Sequence, residues 1–421
     1  FTFEAKTDCL TGSPTHNEIF GLAPDEILNT EGWRQLIHPE DRKRMSDYAR
    51  DHVFRGGQSF DSEYRLIRRN DGQERWIHTV GQLVYGQDGR VSQLFGTSQD
   101  ITERNQYEQR MSLLSTTLSY DDLTGTDLVI EAVFEEIGVK EAVFKELDRV
   151  MKPGAILASN TSTLDVNKIA SFTTRPEDVV GLHFFSPANV MKLLEVVRGA
   201  QTSAEVLATG MALGKTLKKL PVLTGNAFGF IGNRIYNAYR KQCEFMLEDG
   251  AWPEDVDNAL QAFGLAMGPF AVADVTGLDI AWRMRKAQAA TRDPRERYVA
   301  ILDQLCEQGR LGRKADAGYY CYENGKQVKT SDSVVRGIIE HASAQRGLTR
   351  RALSAADIQR RALLAMVNEA ALLLAEGVAS RASDIDVVLV QGYGFPRWEG
   401  GPVFWARQQD RATLEHDLQA L

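Results

Sequence analysis

The sequence predicts three kinds of architecture in series: an α+β unit, an α/β sheet and an all-α region. Three observations lead there. Residues 59–68 and 74–84 alternate apolar with polar side chains on either side of an Asn70-Asp71-Gly72 turn, the mark of an antiparallel hairpin. From Asp127 the pattern becomes apolar strand, helix, apolar strand with short links, which is a parallel crossover unit. After Asn226 helical periodicity takes over, and the sequence repeats itself.

Taken in order, residues 1–105 form the first unit, in which a second turn at Asp88-Gly89 leads into 91–97 and completes an antiparallel meander. A junction follows at 106–126, where 103–114 (ERNQYEQRMSLL) reads as an amphipathic connector helix. The α/β part spans 127–222. Residues 127–132 (DLVIEA) make a buried strand, 135–150 a helix ending before Pro153-Gly154, and 155–159 a second strand closing in Asn160-Thr161-Ser162. In such sheets ligands bind at the carboxyl ends of strands, where Glu131, Glu135 and Ser162 fall.

The helical part divides into copies at 223–322 and 323–421. Residues 234–250 (RIYNAYRKQCEFMLEDG) are echoed by 361–377 (RALLAMVNEAALLLAEG), Asp255-Val256-Asp257 by Asp384-Ile385-Asp386, and Gly268-Pro269-Phe270 loosely by Gly401-Pro402-Val403-Phe404. Where the first copy has Asn233 the second has Arg360. Each copy has an apolar face that needs a partner, so the copies are expected to pair within the chain, which suits a monomer.

Composition narrows the function. With 43% hydrophobic and 25% charged residues among 421, the chain is neither disordered nor a membrane protein, and no apolar run approaches the ~20 residues of a spanning helix. A net charge of -8 gives no support to sequence-independent nucleic-acid binding. Cys9, Cys243, Cys306 and Cys321 lack metal-ligand spacing and read as reduced thiols of a cytoplasmic protein. The chain opens on Phe1, as expected of a fragment or a processed product, and has no signal-peptide layout.

One pair of residues carries chemistry. His183 lies on a short strand that stops at Pro187, and 191–197 reads as the next strand after a tight connection, bringing Glu195 back beside His183. A carboxylate bonded to one imidazole nitrogen fixes the tautomer and makes the other a better base, as removal of a hydroxyl proton requires. By itself each residue reads as a core histidine and a surface glutamate; the surrounding words change that.

Two resemblances follow. HPEDR (38–42), EYRLIRRNDGQERWI (63–77) and GTSQDITER (96–104) resemble a PAS sensor domain with its C-terminal extension. The resemblance implies a five-stranded antiparallel sheet cupped by helices, and a module able to bind a ligand or dimerise. His38 beside a proline reads as structural, and no ligand is assigned to it. VIEAVFE (129–135), ASNTSTL (158–164), GLHFFSPANVMKLLEVV (181–197), GFIGNRI (229–235) and GLAMGPFAVADVTGLD (264–279) resemble the NAD-dependent 3-hydroxyacyl-CoA dehydrogenase family, in its multifunctional fatty acid β-oxidation form. Residue by residue, this resemblance makes His183 the catalytic base and Glu195 its partner. Ser162 and Asn233 become the groups that bond the substrate's 3-oxygen and its neighbours. Glu135, Lys140 and Lys314 fall near the nicotinamide end of NAD, with Ser162 and Ser186 also on the cofactor side. Ser186 stands where some relatives have Asn. The implied architecture is a partial Rossmann-type sheet followed by tandem helical C-terminal domains, and the implied substrate is a 3-hydroxyacyl-CoA.

A Rossmann unit needs a glycine turn after its first strand, so that amides at a helix N-terminus hold the pyrophosphate. The only G-x-G in the sequence is Gly392-Tyr393-Gly394, which follows no suitable strand and lacks the third glycine. The first half of the nucleotide-binding domain should precede Asp127, where the PAS-like unit stands instead. The expectation is a catalytic pair without its cofactor cradle, and activity that is not robust. The alternative is a PAS-type sensory or dimerisation module fused to a vestigial dehydrogenase, a chimeric chain.

Overall fold

A computed structural model describes residues 1–290, 292–328 and 332–421 and divides the chain into two units, Phe1–Leu118 and Ser119–Leu421. In the first unit, β1 (Thr2–Glu4), β2 (Cys9–Thr11), β3 (Ile27–Leu28), β4 (Phe60–Ile67), β5 (Glu74–Tyr85) and β6 (Val91–Asp100) form one antiparallel sheet, ordered β3-β2-β1-β6-β5-β4. The hairpin at Asn70-Asp71-Gly72 is β4–β5, with Gly72 at φ +68° as its turn requires. The sheet has six strands rather than five because the two-residue β3 pairs with β2, too short for alternation to reveal.

Helices α1 (Pro14–Phe20), α2 (Thr30–Leu36) and α3 (Pro39–Asp47), continued by a wider turn at Tyr48–Phe54, close a core of Phe20, Ile37, Met45, Tyr64, Leu66 and Ile77. His38 caps α3, its Nδ1 accepting the Glu40 N–H at 3.3 Å, which is the structural role expected of it. The connector helix is α4 (Thr102–Ser112); Tyr107 and Met111, four apart on one face, are exposed.

In the second unit β7 (Leu128–Glu131), α5 (Ile137–Val150), β8 (Ile156–Ser159), α6 (Val166–Ala170), β9 (Val179–Phe184), β10 (Leu193–Arg198), α7 (Ala204–Thr216) and β11 (Leu220–Gly225) build a sheet ordered β11-β10-β9-β8-β7. The pairs β7–β8, β8–β9 and β10–β11 are parallel, while β9–β10 is antiparallel. Side chains alternate across the sheet. Leu157, Val179 and Val197 meet Phe144 and Leu147 of α5 on one face, and Ile156, Val180, Leu182, Leu194 and Val196 meet Val206 of α7 on the other. The central strands are buried on both faces, as a mostly parallel sheet demands. β7 is an edge: it bonds only β8, and Ile130, Val133, Phe134 and Ile137 at and after it are exposed.

The remaining helices are α8 (Gly232–Asp249), α9 (Pro253–Phe263), α10 (Pro269–Thr276), α11 (Leu278–Ala287), α12 (Ile301–Glu307), α13 (Ser333–Gln345), α14 (Ala355–Ala375), α15 (Ala382–Gly392), α16 (Pro402–Arg407) and α17 (Arg411–Ala420), with a small hairpin of β12 (Tyr322–Glu323) and β13 (Lys326–Gln327). The sequence repeat is also a structural one. Asp257 of α9 accepts the Phe270 and Ala271 N–H groups at the start of α10, and Asp386 of α15 accepts those of Val403 and Phe404 in α16.

The long helices of the two copies, α8 and α14, pack on one another. Arg234 of α8 pairs with Glu376 beyond α14, and Arg361 of α14 with Asp249 of α8. In the repeat Arg361 matches Arg234 and Glu376 matches Asp249, so the two ion pairs are reciprocal. Leu193 and Val222 of the sheet share a core with Ile231, Ile235, Leu363 and Val388, which ties sheet and helices into one compact unit.

Candidate active site

The site grows from the one antiparallel pair in the second sheet. Register sets Glu195 of β10 directly opposite His183 of β9, and their side chains meet at 2.8 Å between Nδ1 and Oε2. Both are buried. The other carboxylate oxygen accepts the Ile231 and Gly232 N–H groups, at 3.2 and 3.0 Å, where α8 begins. A helix N-terminus holds unpaired amides, and here two of them find their acceptor in Glu195. The turn that aims those amides is strained: Gly229 is at φ +75° and Phe230, a bulky residue, at φ +50°. The Phe185 ring lies 4.4 Å from the imidazole and the Phe230 ring 5.8 Å.

Around the strand ends lies a second polar group. Glu131, at the end of β7, accepts bonds from Lys140 Nζ, the Ser159 hydroxyl and the Val133 N–H. Lys140, on α5 and fully buried, also faces Glu135 at 3.3 Å. One oxygen of Glu135 gathers the Thr161 hydroxyl (2.6 Å) and the Ser162 (2.8 Å) and Thr163 (3.1 Å) N–H groups. Burial pushes the Glu135 carboxyl up, but Thr161, Ser162 and Lys140 outweigh it and hold the group below its ordinary value. The capture also explains why the helix expected from residue 135 starts at Ile137.

Asn233 joins the two groups. Its Nδ2 donates to the Ser162 carbonyl at 3.1 Å, and its Oδ1 accepts from the Tyr393 hydroxyl at 2.7 Å. Thus His183, Glu195, Asn233, Ser162, Glu135 and Lys140 come together at one end of the sheet. Ser186 lies in the exposed loop after β9. Lys314 bonds Asp279 within the helical region and shares no partner with the cluster among the described residues. The sequence reading missed Thr161, although the ASNTST run placed it one residue from Ser162, and it missed Tyr393.

A separate feature of the first unit is an apolar cavity of about 70 Å3 bordered by Trp33, Phe54, Phe60, Tyr64, Thr79 and Leu94. Among the described residues no cluster of His, Cys, Asp or Glu could hold a metal ion, and no helix is long and apolar enough to cross a membrane.

Comparison with known proteins gives three family matches: the PAS fold over residues 10–98, the 3-hydroxyacyl-CoA dehydrogenase NAD binding domain over 89–227, and the C-terminal domain of the same family over 229–322. The first two overlap at 89–98, from the turn before β6 into that strand. The chain is 41% identical over 363 residues to a zebrafish (Danio rerio) peroxisomal bifunctional enzyme, covering 83% of this chain and 49% of that protein. It spans about half the length of the curated relatives it matches. Among solved structures it is similar to 3-hydroxybutyryl-CoA dehydrogenase of Escherichia coli K12, with TM-score 0.60 and 26% identity over 76% of this chain and 85% of that one. It is also similar to the dehydrogenase part of multifunctional enzyme 1 from C. elegans, with TM-score 0.50 and 32% identity over 70% and 66%.

The family's cofactor is NAD. Glu135, Lys140 and Ser162 form a polar cluster at the strand ends. The connection after β7 makes no cradle for the pyrophosphate end. The β7–α5 connection, residues 132–136, contains no glycine, and the Val133 N–H within it is already taken by the Glu131 carboxylate.

Proposed function

The chain belongs to the 3-hydroxyacyl-CoA dehydrogenase family, joined to a PAS fold, and on that premise we propose that it interconverts a 3-hydroxyacyl-CoA and its 3-ketoacyl-CoA with NAD, as in fatty acid β-oxidation. The observation that carries this reading is the buried His183–Glu195 pair anchored on the start of α8.

Glu195 accepts the Nδ1 proton, which leaves Nε2 as the basic nitrogen. Nε2 takes the proton of the substrate's 3-hydroxyl, and the resulting imidazolium is stabilised by the carboxylate against it. Asn233 and Ser162 bond the 3-oxygen and hold it toward Nε2. A nicotinamide, when bound, supplies the hydride acceptor. The missing pyrophosphate cradle makes this chain a weak NAD binder, so proton handling is intact while cofactor retention is poor.

The test is oxidation of NADH by acetoacetyl-CoA, followed as loss of absorbance. We expect slow turnover that needs high NADH and disappears in His183→Ala. No turnover above that variant overturns the activity while leaving the ancestry untouched. Calorimetric titration with NAD addresses the cradle separately, and micromolar binding would refute the weak-binding reading.

The apolar cavity favours a second reading, in which the first unit senses a ligand or dimerises and the dehydrogenase part is vestigial. Ligand co-purifying with the full chain, together with inactivity, would decide for it. A cytoplasmic location fits four free cysteines, whereas the relatives' names are peroxisomal; cell fractionation separates the two.

A further inference from the structure

We propose that Tyr393, supplied by the second helical copy, is a positioning residue of the candidate active site, its hydroxyl acting together with the Ser162 carbonyl to hold the Asn233 amide in one orientation. The proposal rests on the reading above, in which Asn233 bonds the 3-oxygen of an acyl-CoA.

An amide side chain has a donor end and an acceptor end of nearly the same shape, so its chemistry at a site depends on what holds it. Asn233 is held twice. The Tyr393 hydroxyl donates to Oδ1 at 2.7 Å, and Nδ2 donates to the Ser162 carbonyl at 3.1 Å. Turned over, the amide would set Oδ1 against that carbonyl, acceptor against acceptor. With both anchors made, the second Nδ2 hydrogen is the donor left to offer. A donor is what a 3-keto oxygen or a developing alkoxide requires, and an acceptor would repel it. Burial pushes the Tyr393 phenol well above its ordinary value, so it stays a donor at any working pH.

The chain is shaped to bring this ring in. A Cβ on Gly232, the first residue of α8, would come within 2.4 Å of the Tyr393 ring, and a Cβ on Gly392 within 2.6 Å of Leu193 on β10. Gly394, at φ +70°, turns the chain away immediately afterwards. The ring stands edge-on to Phe185, centroids 5.7 Å apart, and Phe185 in turn lies against His183. Thus Gly392-Tyr393-Gly394, unfit as a dinucleotide turn, delivers a side chain to the site. The second copy lacks the counterpart of Asn233 but supplies the group that orients it.

Tyr393→Phe keeps the ring and removes only the donor. In the nuclear magnetic resonance spectrum of the full chain, the Asn233 side-chain amide is assigned by its loss in Asn233→Ala. We expect its two protons to be well separated and slow to exchange, and to move toward free-amide values in Tyr393→Phe. An unmoved pair overturns the proposal whether or not the chain is active. In the acetoacetyl-CoA assay, kcat should fall about tenfold in Tyr393→Phe, on the order of one buried hydrogen bond, with KM for acetoacetyl-CoA little changed. In an Asn233→Ala background the same change should cost nothing further; an equal loss in both backgrounds assigns Tyr393 a packing role only and overturns the proposal. An inactive parent chain instead refutes the proposed reaction, and the resonance result still decides for or against Tyr393.

Discussion

Asp257 and Asp274 are out of water, and burial pushes both carboxyls up to about 6, even though each accepts two backbone N–H groups and a tyrosine hydroxyl. Because the folded value lies above the ordinary one near 3.9, their contribution to stability is full below about pH 4 and is lost as pH rises through 6. The urea midpoint should therefore be higher at pH 5 than at pH 7.5, by on the order of 2 kcal/mol in unfolding free energy. The difference should shrink in Asp274→Asn, and a midpoint equal at both pH values would contradict the assignment. At this scale the site was partly legible. His183 and Glu195 stand on two strands joined by eight residues, so their meeting follows from chain geometry. Tyr393 meets Asn233 from far along the chain, through packing of a helical copy that no local pattern encodes.

Elements with their own turn signals were legible, and elements defined by a partner were not. β4 and β5 are long enough to alternate and flank a turn that needs glycine, whereas β1, β2 and β3 are two or three residues long and exist because β6 and one another supply the bonds. The strand–helix–strand run from β7 to β8 was visible because both parallel strands are continuous apolar words, although only β8 is buried throughout and β7 lies at the edge. The α8–α14 contact tests what holds the two copies together. Arg361 bonds Asp249 at 2.7 Å, with both side chains about three-quarters buried. Arg361→Ala should destabilise the chain by about 1 kcal/mol, and by clearly less in an Asp249→Ala background. Additive losses in that double-mutant cycle would mean that the ion pair itself contributes nothing.

For the whole molecule, the division between Phe1–Leu118 and Ser119–Leu421 falls in an irregular stretch where Leu113, Leu114 and Leu118 are exposed. Brief chymotrypsin treatment should cut there first and leave two resistant fragments matching the units; first cuts inside either sheet would contradict the division. From the sequence this break could lie anywhere from about residue 105 to 127, where alternating periodicity gives way to strand–helix–strand words, and β7 stands at one edge of its sheet with Ile130 exposed. The reciprocal pairing of α8 with α14 has one more consequence. In a symmetric pair of identical chains every substitution appears on both sides of the contact at once, and dilution can part the two. Here the two sides are written at different positions of one gene product and travel together at any concentration. Each side can therefore drift alone, one keeping Asn233 while the other becomes Arg360, without either losing the surface that the other needs.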